Sequence, residues 1–173
     1  ARLLDGDEFN YENWCRAVRR GRTFLSGGPM IGMTVEGREV GDTIDLPGPG
    51  TVEVHAWIES IFPINQLEIV QEGRVVASTE SKTPIRRLEL KEKIEVDGHT
   101  WLAARCGGPN YYTEGNFHSG QESWDRPAAA TASILNTHFD SWRRGIFAHT
   151  SPVYVACSGK WAMFNEATAR HML

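Results

Sequence analysis

The segment Thr51-Val52-Glu53-Val54-His55-Ala56-Trp57-Ile58 alternates without a break. Val52, Val54, Ala56 and Ile58 fall on one side, and Glu53, His55 and Trp57 on the other. A sustained period of two is the mark of a strand with one buried face. Working outward, the same texture recurs in short pieces. Residues 23–26 and 30–35 are β-prone runs parted by Gly27-Gly28-Pro29, and Glu36-Gly37 turns the chain. Residues 67–71 and 74–79 flank Glu72-Gly73 as a hairpin, and Pro84 is expected to break the chain ahead of 85–90. Residues 94–96 and 100–106 flank Asp97-Gly98, a strong turn dipeptide, and are expected to form another hairpin. Residues 147–156 return to strand, Ser158-Gly159 turns, and 161–164 are expected to pair back. Short strands at intervals of about 8–12 residues indicate a mainly β chain, an Ig-like antiparallel β-sandwich with short flanking helices.

The flanking helices follow from a change of period. Tyr11, Trp14, Cys15 and Val18 are spaced i, i+3, i+4, i+7, one apolar stripe on a helix over residues 10–20. Asn10 suits its N-cap and Gly21 its C′ position. Residues 107–146 read as an insertion: a long aromatic loop with Tyr111, Tyr112, Phe117 and Trp124, then Pro127 opening a short helix at 128–135. Asn165 is expected to cap a last helix. The expected organisation is a linker helix at 1–22 and a sandwich at 23–173.

Composition excludes several roles. A net charge of −4 offers no concentrated basic face for nucleic acid, and the arginine clusters at 16–22, 86–87 and 143–144 read as solvated faces. No apolar run approaches the roughly 18 residues that a membrane helix needs. The three cysteines, Cys15, Cys106 and Cys157, lie far apart without a C-x-x-C pair, which fits small buried hydrophobes better than a disulfide framework or a zinc site.

Two segments carry a resemblance. Arg20-Gly21-Arg22-Thr23-Phe24 leads through Ser26-Gly27-Gly28-Pro29 into the strands, and Ala148-His149-Thr150-Ser151-Pro152-Val153-Tyr154-Val155 closes them, with Trp101-Leu102-Ala103-Ala104-Arg105-Cys106 between. In this order, over nearly the whole chain, the sequence resembles the C-terminal region of the CehA/McbA-type metallohydrolases, relatives of carbaryl hydrolase in the polymerase-and-histidinol-phosphatase (PHP) superfamily. The resemblance implies an upstream catalytic barrel holding divalent metal, and a non-catalytic sandwich here that packs on it. The implied partner is that barrel in the same polypeptide, with a homodimer through the uncovered face as a further possibility. Arg22, Ser26, His149 and Ser151 are then residues of the interface or supports for the site, not catalysts. The barrel's H-x-H motif is absent from this chain, and its one D-x-H string, Asp97-Gly98-His99, falls in an expected turn.

Other chemistry has to be weighed beside this. His149 is the sharpest single candidate, against the plainer reading of a buried histidine bonded to backbone. His118, His138 and His149 would make a self-contained metal hydrolase if they converged, although their spacing matches no zinc pattern. Ser26 before Gly27-Gly28 lacks the G-x-S-x-G frame of a nucleophile elbow. Cys157 and His149 would lie about 26 Å apart along one regular strand. Trp57, Tyr111, Tyr112 and Trp124 are candidates for stacking on a carbohydrate or another small ligand, the alternative being burial of their rings.

Overall fold

The computed structural model describes residues 1–107, 146–159 and 161. Among these residues one helix, α1 (Tyr11–Arg19), precedes nine strands: β1 (Phe24–Ser26), β2 (Met30–Val35), β3 (Arg38–Glu39), β4 (Thr43–Leu46), β5 (Gly50–Gln71), β6 (Arg74–Val96), β7 (Thr100–Gly107), β8 (Phe147–Thr150) and β9 (Val153–Cys157). The quoted alternation is the first half of β5, where Val52, Val54, Ala56 and Ile58 are all fully buried. Burying each of the valine and isoleucine side chains is worth about 1.5–3 kcal/mol.

β5 and β6 form one hairpin that runs through the whole molecule and bends midway. Their register is regular from Gly50↔Val96 to Glu59↔Arg87 and again from Gln66↔Glu80 to Ile69↔Ala77, beyond which Val76 is one extra residue before Val70↔Val75. Between these arms the ladder passes through Ile64↔Ile85 alone, so the surplus at 60–63 on β5 is matched by the surplus at 81–84 on β6. The two irregularities cancel, and the hairpin turns a corner without losing register. Pro84 sits inside the second surplus, where its missing N–H removes no ladder bond, so β6 continues across it.

The corner makes two layers. In the first, β3, β2, residues 50–59 of β5 and residues 87–96 of β6 lie side by side. In the second, residues 66–71 of β5 pair with β7, and β7 pairs in turn with β8 and β9. β1 lies beyond β8, and β4 lies beyond β9. Apolar side chains from both layers share one core: Ile31, Met33 and Val35 of β2 with Leu102, Ala104 and Cys106 of β7. The chain is thus mainly β, an Ig-like sandwich. Among the described residues all strand pairs are antiparallel except β4 with β9, which is parallel.

Besides the expected break at Pro84, three expectations are corrected. Asp97-Gly98 does not close a hairpin, because β6 ends opposite Gly50 in the first layer and β7 begins opposite Val155 in the second. The turn dipeptide acts locally, whereas Leu102, Ala104 and Cys106 are covered only in the other layer. The run 147–156 is broken at Ser151-Pro152, where one extra residue bulges out between the β8 and β9 pairings with β7. The separate strands expected over 51–58 and 67–71 are one. The expected helices at 128–135 and after Asn165, the partner strand at 161–164 and most of the 107–146 insertion lie outside the described residues.

The Glu36-Gly37 and Glu72-Gly73 turns are as expected. Both residues of each have positive φ, and each joins paired neighbours, Val35↔Arg38 and Gln71↔Arg74. This is the two-residue turn whose twist suits a hairpin.

Candidate functional site

The two segments that carry the resemblance meet. Phe24, Leu25 and Ser26 pair with Thr150, His149 and Ala148. Ser151 continues the contact: its N–H donates to the Thr23 carbonyl at 2.9 Å, and its hydroxyl lies 2.6 Å from that of Thr23.

The helix enters this corner through a tightly bonded joint. Asn10 caps α1 by accepting the Asn13 N–H at 2.8 Å. At the other end Gly21, with φ +71, donates to Val18 at 2.9 Å, and Arg22 donates to Ala17 at 3.1 Å. That pair of bonds is a Schellman motif, which satisfies carbonyls that the helix end leaves over. Gly41 packs against this end so closely that a Cβ on it would collide with the Arg20 carbonyl. The Arg22 side chain, only 16% exposed, reaches from the joint to Glu39 at 2.7 Å and to Asp42 at 3.4 Å. Arg2 also binds Glu39, and its N–H donates to the Arg22 carbonyl at 2.8 Å.

α1 itself is scarcely covered. Ala17 is its one buried residue, while Tyr11, Trp14 and Val18 of the apolar stripe are exposed, as is Phe9 before it. The stripe therefore faces away from the sandwich core. Cys15, on the same stripe, is half-buried, and its bond to the Tyr11 hydroxyl raises that phenol's pKa.

The other candidates are placed as follows. Ser26 holds the Gly27-Gly28-Pro29 turn, donating to the Pro29 carbonyl and accepting the Gly28 N–H at 2.8 Å. Among the described residues no His, Asp or Glu side chain is hydrogen-bonded to it. His149 is exposed, not buried, with Nδ1 3.4 Å from the Thr150 carbonyl. The indole of Trp57 lies across Gly32, its cross-strand neighbour, where any side chain would collide with it. That ring is half-buried, with one face on backbone. His99, of the D-x-H string, accepts the Cys157 N–H on Nδ1 at 3.0 Å and so ties the layer connection to β9. His118, His138, Tyr111, Tyr112 and Trp124 lie outside the described residues. Among the described residues no three His, Cys, Asp or Glu side chains come together to hold a metal ion.

Two further titrating groups are shifted. Burial pushes the Cys106 thiol up to about 12, so it is an inert core residue. The His55 ring, 2.6 Å from Glu89, lowers that carboxyl's pKa on the exposed face of the first layer.

Two cavities open near these residues. One, of about 550 Å³, lies between the joint and β2 and is lined by Arg22, Phe24, Met30, Gly32, Glu39 and Trp57 among others. The second, of about 580 Å³, lies over β7 and β8, with Trp101, Ala103, Arg105, His149, Ser151 and Tyr154 on its walls. Arg105 is held there by Glu68 at 2.6 Å, a carboxylate itself 7% exposed.

Sequence reasoning named Arg22, Ser26, His149 and Ser151, and the structure brings all four to the β1–β8 corner. It missed Glu39, Gly41 and Asp42, the receiving half of the joint. Their only local signal is the Gly-Asp pair, which speaks for a turn and not for what packs on it.

No protein-family profile matches the chain, and no curated protein matches it. A solution structure of the CARDB domain of PF1109 from Pyrococcus furiosus is similar over 75% of this chain and 96% of that one, at 11% identity and a TM-score of 0.35.

Proposed function

We propose that this chain is the non-catalytic sandwich of a PHP-type metal-dependent hydrolase, with α1 as the element that couples it to the catalytic barrel. The observation that carries the reading is the contrast within α1. Its exit is locked to the sandwich by the Schellman motif, Gly41 and Arg22, while the apolar stripe of Tyr11, Trp14 and Val18 stays exposed, Tyr11 at 81%, Trp14 at 44% and Val18 at 39%. An amphipathic helix held rigidly with its apolar side outward is suited to receive a second body. The metal belongs to that body, and this chain supplies shape and orientation through Arg22, Ser151 and the β1–β8 corner.

The test mixes the isolated chain with a separately produced catalytic domain of such a hydrolase and follows association by calorimetry. Binding that is lost in Trp14→Glu and retained in the exposed control Glu53→Gln supports the reading. Equal binding by Trp14→Glu refutes the role of α1. Without the catalytic domain, the same stripe is expected to drive self-association at high concentration, relieved by Trp14→Glu in sedimentation.

A further inference from the structure

We propose that the cleft beside β2 binds an extended peptide as an added strand, hydrogen-bonded to the free side of Ile31. The direction of the backbone groups on β2 is fixed by its neighbours. The Glu36 N–H donates to the Glu53 carbonyl at 2.9 Å, so even-numbered residues of this strand turn their N–H and C=O toward β5. Odd-numbered residues face the other way, and there Val35 meets Arg38 of β3. Ile31 shares the orientation of Val35, but β3 stops at Glu39, opposite Thr34.

The residues that would carry β3 on past Ile31 are committed elsewhere. The Gly41 N–H donates to the Pro152 carbonyl at 2.8 Å, and the Asp42 N–H donates to the Glu39 carbonyl at 3.1 Å. Gly41, at φ +87, swings the chain onto the end of α1. The cavity of about 550 Å³ lies where a longer β3 would have run, and Ile31 and Gly32 are on its wall. Among the described residues no strand pairs with Ile31 on that side.

The shape of the cleft states what it takes. Main-chain bonds to a sheet edge give affinity for any extended peptide, and the alternating side pockets choose among them. On the inner side Phe24, Met33 and Val40 receive an apolar side chain. On the outer side Gly32 contributes no side chain, so the residue beside it reaches the Trp57 ring and Met30. The occupant is therefore a strand with apolar residues on both sides of its centre. This proposal does not rest on the docking role of α1, whose stripe is a separate surface.

Amide hydrogen exchange of the isolated chain, followed by NMR, tests it with a short blocked peptide of alternating threonine and valine. In the free protein the Ile31 amide should exchange on the order of tenfold or more faster than that of Gly32, which faces β5. Saturating peptide should slow Ile31 by a comparable factor. A copy N-methylated along its pairing edge should not, and Met30→Asp should weaken the effect without lowering Tm. The proposal is overturned if the free Ile31 amide is already as protected as that of Gly32. Absence of slowing at millimolar peptide, or equal slowing by the N-methylated copy, also overturns it. Slowing by maltose and not by the peptide would replace it with a small-ligand site.

Discussion

A methyl group at Gly41 meets the Arg20 carbonyl head-on, and the residue's φ of +87 is one that side chains resist. Gly37 shares the second difficulty, at φ +72, but has nothing within 4 Å. The pair separates sterics from backbone strain. Gly37→Ala should cost about 1 kcal/mol. Gly41→Ala adds a collision that can be relieved only by moving the helix end, and should cost roughly 2–4 kcal/mol, a fall in Tm of several degrees. Equal losses in thermal scans would remove the joint from the explanation. Arg22 is argued at the same scale. Its guanidinium is mostly buried between Glu39 and Asp42, so Arg22→Met strands two carboxylates that water reaches only in part. A double-mutant cycle of Arg22→Met with Glu39→Gln should return a coupling of about 1–2 kcal/mol, above the usual yield of exposed pairs. A coupling near zero would mean that Arg2 alone keeps Glu39 in place.

At the scale of elements, α1 behaves as a helix with one attached point. Ala17→Glu puts a charge where the helix is buried and should destabilise by about 2 kcal/mol or more. Val18→Glu, one residue on, should stay within about 0.5 kcal/mol in the isolated chain. If both are equally harmful in denaturant titrations, the stripe is covered after all. The thiols report the same geometry: Cys15 on α1 should react with a disulfide reagent in the native protein, while Cys106 and Cys157, both buried, should wait for unfolding. Much of this element was legible beforehand. Asn10, the stripe and Gly21 define the helix and both its caps from local chemistry alone. The direction of the stripe was not legible, because periodicity says that one side of a helix is apolar and not what covers it. The strands divide in the same way. The alternation over 51–58 reads directly, and so do the Glu36-Gly37 and Glu72-Gly73 turns. The bend shared by β5 and β6 does not, since it depends on two surpluses far apart in sequence that cancel only when the strands are paired. Asp97-Gly98 misled for the converse reason, being a local turn signal overruled by the layer in which β7 is buried.

For the whole molecule, the question is whether the sandwich holds chemistry of its own. Its described histidines are dispersed and each is occupied differently: His55 against Glu89, His99 accepting the Cys157 N–H, His149 exposed beside the Thr150 carbonyl. Tight binding of a transition metal requires about three or four ligands converging on one point, with neighbours that orient them. His55 and His99 are spent on tying strands and layers together. The corner that gathers Arg22, Ser26, His149 and Ser151 brings one imidazole, two hydroxyls and a guanidinium, a set fitted to hydrogen bonding and poor in metal donors. Under the proposed accessory role, incubation with Zn²⁺ or Mn²⁺ and thorough desalting should leave less than about a tenth of an equivalent on the chain. Near one equivalent, abolished by His149→Ala, would mean that this chain builds its own metal site around His149. The reading that puts all metal chemistry on an upstream barrel would then fail, and the exposed stripe of α1 would have to be explained without it.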